Sequence, residues 1–484
     1  MKKLFLFVLS AMIICGCSDE KVPFDKPEMD ISCWPRGAND MSVDFLEGEH
    51  SIEIRFVSTH HYEGQKFSWN LTGGESWCQP STRGEQDAVS ADFDRRIITF
   101  KVDKYMGTEP RKAVFTISCL DKKFFIYITQ TGQNTVHVEK AGTLNEVLSD
   151  MDKSKIKALT ITGNINDEDF LTIRKLGNLD YLDISTISLT TLPASGLHSM
   201  GLKKVILPQN LRTIPQSLFK NCTYLEEVTI PASVVEIKGG HDKTQCFGAF
   251  YNCKALKSIN IPAGVEILES GTFSYCENLK TVIFEQDSKL HTIADGYVRS
   301  NSSVPPTSYY YGVFSYCTSL TAIDFPNELK TIGNYAFYET GVSELVFPAN
   351  VETIGSSAFC GCWGLKNISF APNSTLKTIG SYAFTGYYDQ NYKYKNIPLQ
   401  SVDMSACTHV ESIGTKAFYA DASVWAWKPL ELFKIGTIIP PTCWNDTFSV
   451  IKSFSVLKVP SESIEAYKQA KGWKDFASIT GLDE

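Results

Sequence analysis

The chain has 484 residues, 43% of them apolar and 21% charged, and carries a net charge of −8. That is enough apolar material for a large core divided among two or three units. The acidic balance, with no basic run to offset it, excludes a general attraction to nucleic acid or to an anionic lipid surface.

Met1-Lys2-Lys3 precedes an apolar run from Leu4 to Ile14. As a helix this run spans only about 16 Å, too short for a bilayer core of roughly 30 Å, so residues 1–16 read as a signal peptide. Ile14-Cys15-Gly16-Cys17 resembles a bacterial lipobox, which implies acylation of Cys17 as the first residue of the mature protein. Each buried methylene is worth about 0.8 kcal/mol, so two or three acyl chains hold a protein to a membrane where one does not. Ser18-Asp19-Glu20 resembles the acidic signal that sends lipoproteins of the Bacteroides group to the outer face of the outer membrane. The expected localisation is therefore that of a surface-exposed outer-membrane lipoprotein, touching the membrane through its lipid anchor only, with residues 17–26 as the linker.

Over residues 27–133 apolar and polar residues alternate, as at Ile52, Ile54 and Phe56, at Ile98, Phe100 and Val102, and at Phe115, Ile117 and Cys119, with turn residues between the runs. Short strands at this spacing predict a β-sandwich. Its words Ser76-Trp77-Cys78, Arg111-x-Ala113-x-Phe115 and Ile128-Thr129-Gln130-Thr131-Gly132 resemble the BACON domain, an immunoglobulin-like module of Bacteroides surface proteins. The resemblance implies either carbohydrate or mucin contact or a spacer; the spacer is preferred, because Trp77 is expected to pack between the two sheets.

Residues 134–155 are expected to be a linker and an N-terminal helical cap, with Leu144, Val147, Leu148 and Met151 at helical spacing. Asn164 to Asp169 is acidic enough to suggest calcium, but Phe170, Ile173 and Leu176 follow at helical spacing. The acids are better explained as a helix N-terminus.

From residue 156 to 460 one phrase, Leu-x-x-Val-x-Ile or a close variant, recurs twelve times, beginning at Ile156, Leu179, Leu202, Leu225, Leu256, Leu279, Leu320, Val342, Leu365, Leu399, Leu430 and Phe454. Its alternation makes a short strand with one buried face, often ended by a proline such as Pro208, Pro231 or Pro348, which has no N–H for a ladder. A second apolar pair follows, as in Val351 and Ile354, then Gly333, Gly355, Gly380 or Gly414, where the chain is expected to turn with positive φ. Next comes a phenylalanine, at 219, 250, 273, 314, 337, 359, 384 and 418. One such unit cannot bury its apolar side alone, whereas twelve stacked at about 4.8 Å each give a continuous core about 58 Å long.

The repeat resembles the leucine-rich repeat of the BspA-like class, in words such as Leu320-x-x-Ile323-x-Phe325-Pro326-x-x-Leu329-x-x-Ile332-Gly333-x-x-Ala336-Phe337. The resemblance implies a right-handed solenoid in bacterial surface proteins, used for adhesion or ligand binding, and it brings no catalytic residue. The expected fold is thus mainly β: an N-terminal β-sandwich followed by a right-handed leucine-rich repeat solenoid with helical caps. In the C-terminal cap, residues 461–484, Ser461 is expected to cap a helix with Glu462 and Glu465 in its first turn, Lys468 and Lys471 near its end and Gly472 after it. Ile464, Tyr467, Trp473, Phe476 and Ile479 would cover the last strand.

Cys222, Cys253, Cys276, Cys317 and Cys362 each lie three residues after a ladder phenylalanine. Side chains stacked at one repeat position point the same way, so these are expected to be free, buried thiols rather than disulfides. The sequence leaves the state of Cys33, Cys78 and Cys119 open. Cys360-Gly361-Cys362, and His241 with Cys246, fall short of a zinc ligand set, and no nucleophile triad, phosphate loop or nucleotide fingerprint occurs. No metal, no cofactor and no enzymatic activity are expected.

Two surfaces are candidates for binding an extracellular glycan or glycoprotein, or a host or bacterial surface protein. Four repeats carry insertions, at residues 238–245, 294–312, 386–398 and 420–429, expected at alternate repeats with roots roughly 10 Å apart. Three are aromatic-rich, with Tyr309, Tyr310 and Tyr311, then Tyr387, Tyr388, Tyr392 and Tyr394, then Trp425 and Trp427. Exposed rings stack on sugars or anchor protein interfaces, and the alternative is that they fold back over the solenoid edge. The second surface is the outward face of the strands, with Thr229, Asn260, Asp324, Asn367 and Asp403 and one aromatic, Tyr181, which suits a protein-binding adhesin or a subunit of a surface assembly.

Overall fold

Strand makes up 36% of the chain and helix 6%, so the protein is mainly β. A computed structural model describes residues 29–484 apart from 36, 38, 44–47, 59–65, 82–83, 91–92, 106, 108, 243–244, 302–306, 389–393, 422–429, 445, 449–452 and 454, and apart from the side chains of 34, 84–87, 300–301, 307–308 and 388. Cys17 with the whole leader, Tyr392, Trp425 and Trp427 lie outside the described residues. The chain divides into two compact units, Met1–Gly132 and Gln133–Glu484. Among the described residues no helix is long and apolar enough to cross a membrane.

In the first unit, β1 (Met29–Trp34), β2 (Asp40–Val43), β3 (Gly48–Ser58), β4 (Lys66–Gly73), β5 (Cys78–Pro80), β6 (Gly84–Ser90), β7 (Phe93–Val102), β8 (Arg111–Cys119) and β9 (Lys122–Gln130) form two sheets, ordered β1-β3-β7-β5 and β2-β9-β8-β4-β6. Alternation decides what they bury: the inward residues of β3, β7 and β8 named above all enter one apolar cluster. The tryptophan fully inside that cluster is Trp69, 5.2 Å from the Phe56 ring, while Trp77 is half-buried and packs against the cluster from its edge. Trp69 alternates with Leu71 along β4, whereas Trp77 lies in the turn before β5, where no sheet face directs it inward. Trp77 also stacks on the Arg111 guanidinium, which lies 4.2 Å from its centroid and 4.2 Å from that of Tyr105. Arg111 Nε donates to Oε1 of buried Gln130 (2.8 Å), whose Nε2 donates to the Asp103 carbonyl (2.8 Å).

In the second unit eleven of the twelve phrases form strands, each parallel to its neighbour where paired, as in Ala158↔Tyr181↔Lys204↔Glu227. Two further strands, Asn134–Val138 before the first phrase and Ser478–Gly481 after the last, extend the ladder inside segments expected to be linker and helical caps. Both were missed because neither carries the leading leucine of the phrase. The exception is the phrase at Leu320, which has no strand, although Ile323 stays buried. The break coincides with a one-residue deletion in the next repeat, where five residues rather than six separate the phenylalanine from the phrase, Phe337 to Val342 against Phe359 to Leu365. The stack persists there because a second ladder runs through without interruption: nine two-residue parallel strands from Thr213–Ile214 to Thr442–Cys443, including Thr292↔Thr331↔Thr353.

The phenylalanines form the expected column, with a ninth member, Phe448. Neighbouring rings are stacked at 5.0–5.8 Å from Phe219 to Phe448. The glycine expectation is corrected. Gly333, Gly355, Gly380 and Gly414 do not have positive φ; a Cβ on each would lie 2.3–2.5 Å from the backbone of the preceding coil, so glycine is required by close approach. Positive φ falls two residues later, on Tyr335, Ser357, Tyr382 and Lys416.

The ends are closed with less helix than expected. Helix α1 is only Leu144–Val147, with Leu144 and Leu148 buried but Val147 exposed. Helix α2 (Asp167–Arg174) is capped by Asn166 in a capping box with Asp169. The buried Asp169 carboxylate also accepts from the N–H groups of Gly142 (2.7 Å) and Leu144 (2.9 Å), tying α2 to α1. At the other end Ser461 opens a 3-10 turn and caps no helix; α3 is Ile464–Gln469, without a side-chain cap. Tyr467 and Trp473 are fully buried against the last coil, with hydrogen bonds to Thr437 and to the Pro441 carbonyl.

Candidate ligand groove

The turn around each ladder phenylalanine fixes three columns beside the phenylalanine stack, two residues before it and one and two residues after it, of which the second is mostly buried. Down the first column run Gly312, Tyr335, Ser357, Tyr382 and Lys416, and down the second Ser315, Tyr338, Cys360, Thr385 and Tyr419. In the third, Tyr316 and Glu339 precede Gly361 and Gly386. Left-handed φ at Tyr335 (58°), Ser357 (53°), Tyr382 (60°) and Lys416 (52°) repeats one corner in successive coils. Bulky residues at such φ are unusual and strained by about 1–3 kcal/mol each, so side chains held there invite a functional reading.

Together these columns line an open groove of about 450 Å³. Its ends are made by two of the insertions, each a short antiparallel hairpin: Val298–Asn301 with Thr307–Tyr310, and Tyr387–Tyr388 with Tyr394–Lys395. The expectation of alternate repeats is corrected here. The hairpins belong to the Phe314 and Phe384 coils, and the two coils between them, at Phe337 and Phe359, carry no insertion and form the floor.

The loop tyrosines are placed differently from one another. Tyr309 is exposed. Tyr310 stacks on Tyr338 at 4.1 Å and lies 5.1 Å from Tyr335. Tyr311 is buried, edge-on to Tyr251 at 5.9 Å. Tyr387 is half-buried, and the Tyr394 hydroxyl meets Thr385 Oγ1 at 2.7 Å and accepts from Gly386 N at 3.0 Å, with its ring edge-on to Tyr419. Tyr310, Tyr387 and Tyr394 line the groove; Tyr309 and Tyr311 do not. Sequence reasoning missed Tyr316, Tyr335, Tyr338, Tyr382, Tyr419, Glu339 and Lys416, which lie in the repeats themselves. They were legible by reading down the columns beside each ladder phenylalanine.

Among the described residues two charged groups line the groove. Glu339 is held above the ordinary carboxylate range by burial, partly offset by a hydrogen bond from Tyr338. Lys416 Nζ lies 5.1 Å from the Tyr419 ring and 5.8 Å from that of Tyr382. Burial also pushes the Tyr316 and Tyr338 hydroxyls far above neutral pH, so they act as uncharged donors.

On the strand face Thr229, Asn260 and Asp324 are exposed, Asp324 outside any strand. Asn367 accepts from Ser401 Oγ (2.8 Å), and Asp403 is taken up by Ser405 and by Lys434 (2.9 Å). Tyr181 is buried rather than presented. Among the described residues no three His, Cys, Asp or Glu side chains are placed to hold a metal ion.

The family described as "BspA type Leucine rich repeat region (6 copies)" matches residues 151–241, 190–305 and 307–424, more than half of the chain. The chain belongs to this BspA-type leucine-rich repeat family. No curated protein matches it. Solved structures similar to this BspA-type chain include a leucine-rich repeat protein from Bacteroides ovatus, with 20% identity, 61% of this chain and 88% of that one covered, and a TM-score of 0.22. A leucine-rich cell surface protein from Faecalibacterium prausnitzii is 16% identical, covering 74% and 84%, with a TM-score of 0.28. A leucine-rich repeat protein from Eubacterium ventriosum is 14% identical, covering 77% and 93%, also at 0.28.

Proposed function

We propose that this BspA-type protein is a non-catalytic cell-surface lipoprotein that binds an extracellular glycan or glycoprotein in the tyrosine-lined groove of a right-handed solenoid. The observation that carries the reading is the convergence of Tyr310, Tyr335, Tyr338, Tyr382, Tyr387, Tyr394 and Tyr419 on one open cleft that also presents the Glu339 carboxylate and the Lys416 amine. Aromatic faces take the apolar faces of sugars, and hydroxyl and carboxylate groups take their rims. The test is binding to a panel of plant polysaccharides and mucins. Native protein is expected to bind, and Tyr335→Ala and Tyr382→Ala to weaken binding by about tenfold each; no binding, or indifference to both changes, refutes the reading.

The lipobox-like Cys17 supports an anchor, and the two-sheet first unit supports a BACON-like, immunoglobulin-like β-sandwich acting as a spacer. The convergence of Trp77, Arg111 and Gln130, one from each BACON-like word, in a single structural cluster favours that spacer role. Replacing Cys17 by Ala is expected to move the protein from the membrane to the soluble fraction on fractionation. A protein-binding adhesin using the exposed Thr229, Asn260 and Asp324 is the second reading; a partner lost when these become Lys, with groove variants unaffected, would favour it.

A further inference from the structure

The third column beside the phenylalanine stack changes character at one residue. Tyr275 and Tyr316 stand in the coils before it, Gly361 and Gly386 in the coils after it, and Glu339 occupies the step between them. Glu339 is held there at φ 53°, in the left-handed region that a residue with a long side chain adopts only at a cost. Its stem runs over the glycine of the next coil: a Cβ on Gly361 would lie 2.8 Å from Glu339 Cγ and 3.1 Å from Tyr387 Cβ. Glycine therefore makes the room in which the Glu339 stem and Tyr387 meet on the wall of the groove. Nothing around that carboxylate balances its charge. The titratable groups that feel it, Tyr275, Tyr316, Tyr338, Cys360 and Cys362, are all pushed by burial well above neutral pH and stay uncharged. Lys416, the other charged group of the groove, belongs to the Phe418 coil, three coils away, and sits over the Tyr382 and Tyr419 rings. A carboxylate drawn out of water with no cation beside it is costly to keep, and in a cleft it marks a site that awaits one.

We infer that Glu339 anchors a ligand ammonium, so that the groove selects a glycan with a free amino group on its sugar ring, a glucosamine-type residue rather than an N-acetylated or neutral one. This rests on the glycan reading and names the class of sugar. Charge pairing strengthens as water is excluded, so an ammonium brought against Glu339 gains more than it would beside an exposed carboxylate. In an amino sugar the cation is attached directly to the ring, so the charge meets Glu339 while the apolar ring face meets the tyrosine walls. A lysine ammonium ends a long flexible stem that is best buried in a narrow channel, whereas this groove is open. A peptide backbone gains little here, because the donors of the floor are already used: Ser357 N bonds Ser381 O (2.8 Å), Cys360 N bonds Ser357 O (3.2 Å) and Gly361 N bonds Thr385 O (2.9 Å). A metal ion needs several converging ligands, and among the described residues no three His, Cys, Asp or Glu side chains supply them.

The test is calorimetric titration of the full chain with the β-1,4-linked trimer of glucosamine, its N-acetylated form, cellotriose and trilysine. The three sugars share one linkage and differ only at C2. The glucosamine trimer is expected to bind at least about tenfold more tightly than the other two sugars. Glu339→Gln keeps the volume and should abolish that preference, with its thermal unfolding confirming that it is folded. A second measurement needs no variant: affinity of the native chain for the glucosamine trimer should rise as pH increases from about 4.5 through the raised pKa of Glu339, over a range where the sugar amine stays protonated, while affinity for cellotriose stays level. No preference for the free amine, a preference that survives Glu339→Gln, or an affinity that does not rise with pH overturns the inference alone. Tighter binding of trilysine than of every sugar overturns it together with the glycan reading. Absence of binding to all four probes overturns the inference, and the polysaccharide and mucin panel then decides the glycan reading separately.

Discussion

The cysteine column has a specific chemistry. Sγ of Cys253, Cys276, Cys317 and Cys362 donates to the carbonyl of the ladder phenylalanine one coil earlier, at 3.1–3.3 Å, and Cys222 does the same to Leu197 at 3.0 Å. In the repeat with the one-residue deletion, buried Thr340 stands at the cysteine position and contacts Cys362 Sγ at 3.3 Å. The position therefore wants a small side chain with one donor, and a thiol provides it at little desolvation cost. Cys276→Ala is expected to cost about 0.5–1.5 kcal/mol, the net worth of one hydrogen bond, because the Phe250 carbonyl keeps its bond from Cys253 N (3.2 Å), measured by urea denaturation. Burial pushes the Cys276 and Cys362 thiols up to about 12, so both should resist iodoacetamide until the protein is unfolded. Glu339 is the opposite case, a group retained against stability. Its folded-state pKa is raised above the ordinary 4.5, so the folded form binds a proton more tightly than the unfolded form. Its penalty is absent below about that ordinary value and grows as pH rises through the raised one. Glu339→Gln should raise Tm at pH 7 and leave it nearly unchanged at pH 4.

At the scale of elements, the coil is held by three columns with different physics. The phenylalanines supply buried area, the glycines permit coil-to-coil contact, and the two-residue Thr-Ile strands supply an unbroken hydrogen-bonded ladder. Phe337→Ala should cost about 3–5 kcal/mol in the cooperative unfolding of the second unit, whereas exposed Phe125 in β9 should tolerate Ala within about 0.5 kcal/mol. The strand phrase was readable because period-two alternation is local. Which residues of the corner face outward was not, because left-handed φ at Tyr335 or Lys416 is imposed by stacking on adjacent coils and not by those residues' own preference.

At the scale of the second unit, stability depends on closing both ends. The last coil exposes Phe433 and Phe448 unless Tyr467, Trp473 and Phe476 cover them. A chain ended after Pro460 should elute as aggregates on size-exclusion chromatography, while Gln133–Glu484 expressed alone should remain monodisperse. The sequence by itself determined that a repeat array exists, where its strands fall, which phenylalanines and cysteines fill it and that alternating strands precede it, because those properties repeat at fixed spacing along the chain. Only the tertiary structure decided that Trp69 lies inside the first core with Trp77 packed at its edge, that glycine serves contact and not curvature, and that tyrosines from four coils and two hairpins meet in one groove. Such juxtapositions come from stacking residues distant in sequence, and a local pattern carries no record of which side chains stacking will bring together.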